Sequence, residues 1–422
     1  MGYRFDFEKK EIVGTGGIYV RTFPSADQII IDYKTFSKPG FFSNAVFVQS
    51  LLPKEHTISI EKDGYYGYSK TLPVEEKTVT KLENITLFKR SLAFETIAKE
   101  IDYFSISPDN QNVLTAAQGA KSIELKYFNI NKPEESKETY AAVAGKVLDI
   151  KWHENSPVAL IKIQVLSDIL YYNFDASNET PVAARLPYLD KNSQQVSFNP
   201  ENPEEIFYEE NNILYSLKNN TPKAIIKNLI SYDFLGNNFL WLSSEGSLNE
   251  SSLSGALIST KNEEKINLSL SKEYKISNVS GKIFLQDSDS TLLFDQSAKT
   301  FESFPVARGS YEILISPDKE SLVFWNEEKI YIYLPQKNGF TENNAKLLFA
   351  GSETSNCQWL NNHYIIFNAG DKIIISEIDY RGNTNTVSLP QTKSPQTLYI
   401  NQSGKLYILT EKILIMSEKL TP

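Results

Sequence analysis

After Arg90 the chain repeats one pattern to its end: a short apolar strand, a polar turn, a second strand, a tight turn and a third strand. The clearest copies begin at Tyr103-Phe104-Ser105-Ile106 and at Tyr311, and each runs into a Ser-Pro-Asp turn, at 107–109 and 316–318. Val113-Leu114 and Ile123-Glu124-Leu125 follow in the first copy. Leu322-Val323-Phe324-Trp325 and Ile330-Tyr331-Ile332-Tyr333 follow in the second. Weaker copies start near Val147, Gln194, Ile230, Ile276, Asn356 and Thr397, so that starts lie about 42 residues apart on average. A period near 42 with several strands per unit is the signature of β-propeller blades. The expected fold class is all-β: a small N-terminal β-sandwich followed by a β-propeller. Eight starts give eight blades, with seven as the alternative if the units at Ile230 and Ile276 are misdivided.

The turns have a local cause. In Ser-Pro-Asp the proline fixes φ and the aspartate can cap its own backbone. Other units use Asn199-Pro200, Asp233, Ser280-Gly281 and Ser403-Gly404 for the same job. The last unit offers only three strands, near 397–400, 406–409 and 413–416. An open sheet edge invites misassembly. The spare apolar segment Leu92-Ala93-Phe94-Glu95-Thr96 is therefore expected to pair beside 413–416. Composition agrees with a β-rich chain: 23 Tyr and 24 Phe among 422 residues, with frequent Ile, Val and Thr. That length suits two or three domains. The expected division is an extension at 1–14, a sandwich at 15–89 and a propeller at 91–422, the last two folding independently.

The first ninety residues read as short strands. Ile18, Val20 and Thr22 alternate on one face, Pro24-Ser25-Ala26-Asp27 breaks the strand, and 28–32 is a second, more apolar strand. Leu51-Leu52-Pro53 closes an irregular connection. Thr57-Ile58-Ser59-Ile60-Glu61 alternates again, Lys62-Asp63-Gly64-Tyr65 supplies a hairpin turn, and 68–74 and 78–88 continue as strands. Gly14-Thr15-Gly16-Gly17 precedes a strand rather than a helix, which makes it a linker and not a phosphate loop.

Gly17-Ile18-Tyr19-Val20, Thr22-Phe23-Pro24, Ile30-Ile31-Asp32, Leu52-Pro53 and Lys62-Asp63-Gly64-Tyr65, in that order, resemble the PEGA domain over residues 15–89. The tetrapeptide that names the family stands here as Pro24-Ser25-Ala26-Asp27, and Tyr33 and Lys54 replace two of its usual turn glycines. The resemblance implies a small β-sandwich of surface and envelope proteins, often beside a membrane anchor and without catalytic residues. The position of Ser-Pro-Asp after the first strand resembles the propeller repeats of periplasmic proteins such as the TolB-like group. Gly2-Tyr3-Arg4-Phe5-Asp6-Phe7 is similar to the stretch that follows an N-terminal membrane helix in some bacterial proteins of this type. These resemblances imply an extracytoplasmic protein, anchored to the membrane by a segment preceding Met1. The alternative is a cytoplasmic start at Met1. The sequence itself carries no run of about 18 apolar residues and no apolar signal-peptide core.

No catalytic, cofactor-binding or metal-ligating residue is assigned. His56, His153 and His363 fall in different units, without the spacing of a zinc site. The single cysteine, Cys357, reads as a small core residue rather than a reactive thiol. Asp287-Ser288-Asp289-Ser290 is the best calcium candidate, although a hairpin turn explains it without metal. Glu209-Glu210 and Glu327-Glu328 occupy equivalent turns, as generic acidic surface. Trp152, Trp241, Trp325 and Trp359 lie in or beside strands and read as packing rather than as sugar platforms. No Gly-x-Ser-x-Gly elbow is present, which excludes the propeller-plus-hydrolase peptidases, and the sialidase Asp box is also absent. A net charge of −9 gives no bulk attraction for nucleic acid. The expected function is a non-enzymatic envelope or surface scaffold, without cofactor, whose propeller binds a protein or a glycan. The alternative is a lyase or hydrolase with a site assembled in the propeller channel.

Overall fold

Alternating apolar residues on short runs build strands throughout the computed structural model, which describes residues 2–8, 10–36, 44–177, 179–269, 271–335, 345–389, 397–400 and 403–420. Among them there is no helix. The strands before the repeats are β1 (Tyr3–Asp6), β2 (Glu11–Gly14), β3 (Gly16–Phe23), β4 (Gln28–Ile31), β5 (Lys34–Phe36), β6 (Ala45–Leu51), β7 (Glu55–Glu61), β8 (Tyr68–Pro73) and β9 (Val79–Thr86). β1 and β2 form a hairpin. A three-stranded sheet runs β6-β3-β9 and a four-stranded sheet β5-β4-β7-β8. One core serves both sheets, with Ile18 and Val20 of β3, Leu82 and Ile85 of β9, Ile29 and Ile31 of β4, Ile58 and Ile60 of β7 and Leu72 of β8 all buried together. β9 lies parallel to β3 and at one edge of its sheet; β8 is at one edge of the other.

Two expectations for this region are corrected. Gly14-Thr15-Gly16-Gly17 is not a linker, since β2 ends at Gly14 and β3 begins at Gly16. Glycine is required at position 16 because a Cβ there would sit 2.3 Å from the Glu75 carbonyl oxygen and 2.5 Å from Val74. The connection before Leu52-Pro53 contains a full strand, β6, whose weak alternation around Phe47 and Gln49 hid it.

From residue 94 onward eight four-stranded antiparallel sheets follow among the described residues. Seven are built from four consecutive strands each and begin at Tyr103–Ile106, Lys146–Trp152, Gln194–Asn199, Leu229–Leu235, Lys275–Val279, Glu312–Ile315 and Thr354–Asn361. The eighth contains Thr397–Ile400, Lys405–Thr410, Ile413–Lys419 and, as its outer strand, β10 (Phe94–Lys99). The repeat starts read from the sequence thus fall on the first strands of the sheets. β10 lies two residues later than the expected 92–96, because Leu92 turns into a core with Phe88, Tyr364 and Leu406. Backbone pairing beside β10 runs from Glu418 N to Ala93 O (2.9 Å) at one end to Ile101 N to Lys412 O (3.1 Å) at the other.

The chain divides into two compact units. One holds residues 1–95, 316–411 and 415–422, and the other 96–315 and 412–414. In the second unit the first strands of neighbouring sheets are tied to each other by hydrogen bonds. Ser105 Oγ donates to Ile150 O (3.3 Å), Tyr232 OH to Gln195 O (2.6 Å) and Asn278 N to Asp233 Oδ2 (2.7 Å). Both Ser-Pro-Asp turns close as their chemistry requires. Ser107 Oγ donates to Asp109 Oδ1 and Ser316 Oγ to Asp318 Oδ1, each at 2.5 Å, while the Asp109 and Asp318 carboxylates accept from Gln111 N and Glu320 N.

Removal of β10 strips an outer strand from the last sheet. Each lost backbone hydrogen bond costs about 1 kcal/mol net, and the bared edge can recruit other chains. Deletion of residues 91–98 is expected to lower the melting temperature sharply and to produce aggregates on size-exclusion chromatography. A deletion variant that melts like the parent and stays monomeric contradicts this role for β10.

Candidate functional site

In β8 the alternation puts Tyr68, Lys70 and Leu72 on the buried face. A lysine in that position must find a counter-charge, because an unpaired buried ammonium is strongly disfavoured. Lys70 is fully buried and meets the carboxylate at the end of the strand Lys372–Glu377: Nζ to Glu377 Oε1 is 2.6 Å, and Nζ also donates to the Asp379 carbonyl at 2.6 Å. Glu377 is saturated. Its Oε2 accepts from Tyr68 OH (3.0 Å), and its Oε1 accepts from the backbone N–H (2.8 Å) and side-chain amide (2.9 Å) of Asn385. Burial, reinforced by the Glu377 charge, raises the Tyr68 phenol far above its ordinary value and keeps it a neutral donor.

The segment after that strand docks on the same edge. Asn383 Nδ2 donates to Ser69 O (2.8 Å) and its Oδ1 accepts from Thr71 N (3.3 Å), while Asn385 Oδ1 accepts from Ser69 N (3.2 Å). Two asparagine side chains thereby satisfy three outward backbone groups of β8, an edge strand. Gly382 allows the approach: its φ is +64°, and a Cβ would stand 2.2 Å from Thr71 O. Arg381 grips Asp379 through Nε–Oδ1 (3.0 Å) and Nη2–Oδ2 (2.7 Å) and donates to Lys81 O of β9 (3.1 Å). Burial pushes the Asp379 carboxyl up, but Arg381 and Lys70 more than offset it and leave it below the usual carboxylate range.

Above this floor opens a cleft of ≈710 Å³. One wall is β9 with the end of β8, including Leu72, Val79, Lys81 and Glu83. The other carries Asp318 and Glu320 of the second Ser-Pro-Asp turn, His363, Tyr364 and Arg381. Asp318 N donates to Asn362 Oδ1 (3.1 Å), which holds the turn against the next sheet. Burial lowers the His363 imidazole below its ordinary 6.5, against the opposing pull of Asp318 and Asp379.

The residues singled out in the sequence are otherwise dispersed. His56 bonds Asp32 and the Leu52 carbonyl, and His153 bonds the Asn199 carbonyl; both are buried within one unit or the other, and only His363 reaches the cleft. Asp287 and Asp289 both hold Lys272 Nζ, at 3.0 and 2.8 Å, and Asp287 Oδ1 accepts from Asp289 N and Ser290 N as a turn cap. Cys357 is buried. Trp152 packs against Tyr127 and Phe174 and donates to Ser105 Oγ; Trp241 donates to Ser251 Oγ; Trp325 and Trp359 are half-buried in their strands. Glu209 Oε1 accepts from Asn212 N in its turn, and Glu327 and Glu328 lend carbonyls to Thr354 N and Gly351 N. Sequence reasoning missed Lys70, Glu377, Asp379, Arg381, Asn383 and Asn385. The available signal was Lys70 itself, an ammonium on the apolar phase of an alternating strand.

No family model matches the sequence, and no curated protein matches it. The PEGA likeness of residues 15–89 therefore rests on the residues alone. Among solved structures the chain resembles BamB from Moraxella catarrhalis, at 10% identity and TM-score 0.50, over 77% of this chain and 98% of that one. It also resembles the Dos1 propeller (8% identity, TM-score 0.48, 77% of this chain and 93% of that) and the Swd1 β-propeller domain of Myceliophteria thermophila (9%, 0.45, 78% and 100%). At such identities the likeness is one of fold: the chain is all-β with a β-propeller repeat architecture.

Lys70→Met leaves the Glu377 carboxylate buried without its cation. Removing one partner of a buried pair costs roughly 3–5 kcal/mol, and a loss of that order is expected in chemical denaturation. Lys70→Met with Glu377→Gln is expected to recover most of it, and a single variant as stable as the parent contradicts the assignment. For His363 the folded-state pKa lies below the unfolded one, so folding favours the neutral ring. Stability is then lost as the pH falls from above 6.5 through the folded pKa. Denaturation between pH 8 and 5 is expected to show this slope, and His363→Gln to reduce it. An unchanged slope contradicts the shift.

Proposed function

We propose that this protein is a non-enzymatic scaffold of the cell envelope that binds a protein partner. In this reading residues 91–422 form an eight-bladed propeller, residues 15–89 a PEGA-like sandwich, and the chain is extracytoplasmic, held by a membrane segment that precedes Met1. The observation that carries the binding role is the floor of the ≈710 Å³ cleft. A general acid or base must exchange its proton with a substrate near the working pH. Glu377 and Asp379 are instead fixed as counter-ions of Lys70 and Arg381, and Tyr68 as a donor to Glu377. Such groups hold a shaped surface rigid. Mixed apolar and charged walls, with Leu72 and Val79 beside Lys81 and Asp318, suit a polypeptide.

A photo-cross-linking residue at Thr78, on the cleft wall, tests the reading in cells that make the full-length gene product. One discrete protein adduct is expected, in the envelope fraction, and none from the same residue placed at Lys121. Absence of an adduct at Thr78, or adducts of equal intensity at both positions, overturns it. The division into parts is tested by expressing residues 91–422 alone. A soluble fragment with a cooperative melt is expected, at a lower temperature than the whole chain because Phe88 leaves the core around Tyr364 and Leu406. An insoluble or molten product overturns the independence of the parts.

A further inference from the structure

We propose that the cleft receives an extended, basic segment of the partner protein, added as a short strand beside β9. This rests on the protein-binding reading above and specifies its ligand.

β8 and β9 are each one of the two edge strands of their sheets, and these two edges are treated differently. On β8 the N–H and C=O of Ser69 and the N–H of Thr71 are satisfied by Asn383 and Asn385. β9 has no such cover along its first half. Its parallel register with β3 pairs Gly17 with Val79 and Tyr19 with Lys81, and Gly17 N bonds Thr78 O at 3.0 Å. In a parallel ladder this turns the C=O of Thr78 and the N–H and C=O of Thr80 and Leu82 toward β3, and those of Val79 and Lys81 away from it. Arg381 takes the Lys81 carbonyl. The N–H and C=O of Val79 and the N–H of Lys81 have no protein partner among the described residues, and both residues line the cleft. A row of open backbone groups along a groove wall is the arrangement that accepts an added strand.

Charge selects the occupant. The lining holds six carboxylates, Glu75, Glu83, Asp318, Glu320, Glu377 and Asp379, against two cations, Lys81 and Arg381. Lys70 behind the floor neutralises Glu377, Arg381 neutralises Asp379, and Lys81 stands 3.5 Å from Glu83. Glu75 on the near rim and Asp318 across the cleft add to a negative excess. A strand lying on β9 projects alternate side chains toward the opposite wall, and there lysine or arginine meets Asp318 while apolar residues meet Leu72 and Leu334.

The test is fluorescence anisotropy with the full chain and a labelled peptide alternating Lys with Val and Thr. Three controls accompany it: the same peptide with Glu for Lys, an N-methylated copy that keeps its charge but cannot donate along one edge, and the Lys peptide at raised salt. Saturable binding is expected for the Lys peptide. It should be at least about tenfold weaker for the Glu and N-methylated forms, and severalfold weaker at 0.5 M salt. Val79→Pro removes an outward N–H from an edge strand, where proline is tolerated, and is expected to weaken binding about tenfold with the melt unchanged. Should that variant fold poorly, Asp318→Asn reads the opposite wall by the same assay. Equal affinity for the Lys and Glu peptides, or for the N-methylated and parent peptides, overturns the proposal. If the Thr78 adduct forms and these peptides do not discriminate, the cleft binds a protein by another mode and only this inference falls. If neither is seen, the protein-binding reading falls with it.

Discussion

One buried ion pair organises the unit that carries the cleft. Lys70 comes from the middle of β8, Glu377 from the end of a strand more than three hundred residues later, and both are almost fully buried. Such a pair gives little net stability, since desolvation offsets most of the Coulomb attraction. Its effect is on geometry. An ammonium inside a protein tolerates few arrangements, and this one is fixed by two acceptors at 2.6 Å and by a carboxylate that also holds Tyr68 and Asn385. Apolar contacts such as those of Phe88 with Tyr364 can slide by a fraction of a side chain with little loss; a saturated ion pair cannot. The position of the turn 379–385 against β8, at the floor of the cleft, follows from it.

Sheet edges are the second constraint. Every open sheet must do something with the groups its last strand leaves unpaired. The chain uses three solutions. β10 completes the last four-stranded sheet with a strand from before the repeats, and Lys89 and Ala93 fasten Glu418 beside it at 2.5 and 3.1 Å. β8 is covered by asparagine amides, which can donate and accept at once and so match a strand edge. β9 keeps part of its edge open along the cleft wall. A charged side chain also guards it: Lys81 is exposed on that strand, the usual deterrent to unspecific pairing.

Much of the repeat region was legible in the sequence, because each feature there has a local cause. Ser107-Pro108-Asp109 and Ser316-Pro317-Asp318 dictate their own turns, and the apolar phase of Val113-Leu114 or Leu322-Val323-Phe324 needs only its neighbours to become a strand. The candidate site was not legible, because its causes are long-range. Asp379-Tyr380-Arg381-Gly382-Asn383 reads as an ordinary polar turn, and nothing within it announces that Asn383 will replace a missing strand on β8. Gly382 looks like any turn glycine until the Thr71 carbonyl is placed against it. β6 was missed for a related reason. Its exposed Phe47 and half-buried Val46 break the alternation, and its strand character comes from pairing with β3.

Lys70 is the instructive exception. It lies in the strand expected at 68–74, where it shares the phase of Tyr68 and Leu72 on the buried face. Alternation is a statement about faces, and a cation on the buried face demands a partner whose place in the sequence alternation cannot supply. The chain contains several acidic residues near strand ends, yet Glu377 differs in what surrounds it: Asn385 eight residues later returns to donate twice to the same oxygen that holds Lys70. That return requires the backbone to reverse within a few residues, which the left-handed conformation of Gly382 permits and which Arg381, bidentate on Asp379, stabilises. The ion pair, the asparagine cover and the glycine therefore form one dependent set. Replacing any one alters the fit of the other two, and the cleft wall built by Arg381 and Asp379 shifts with them.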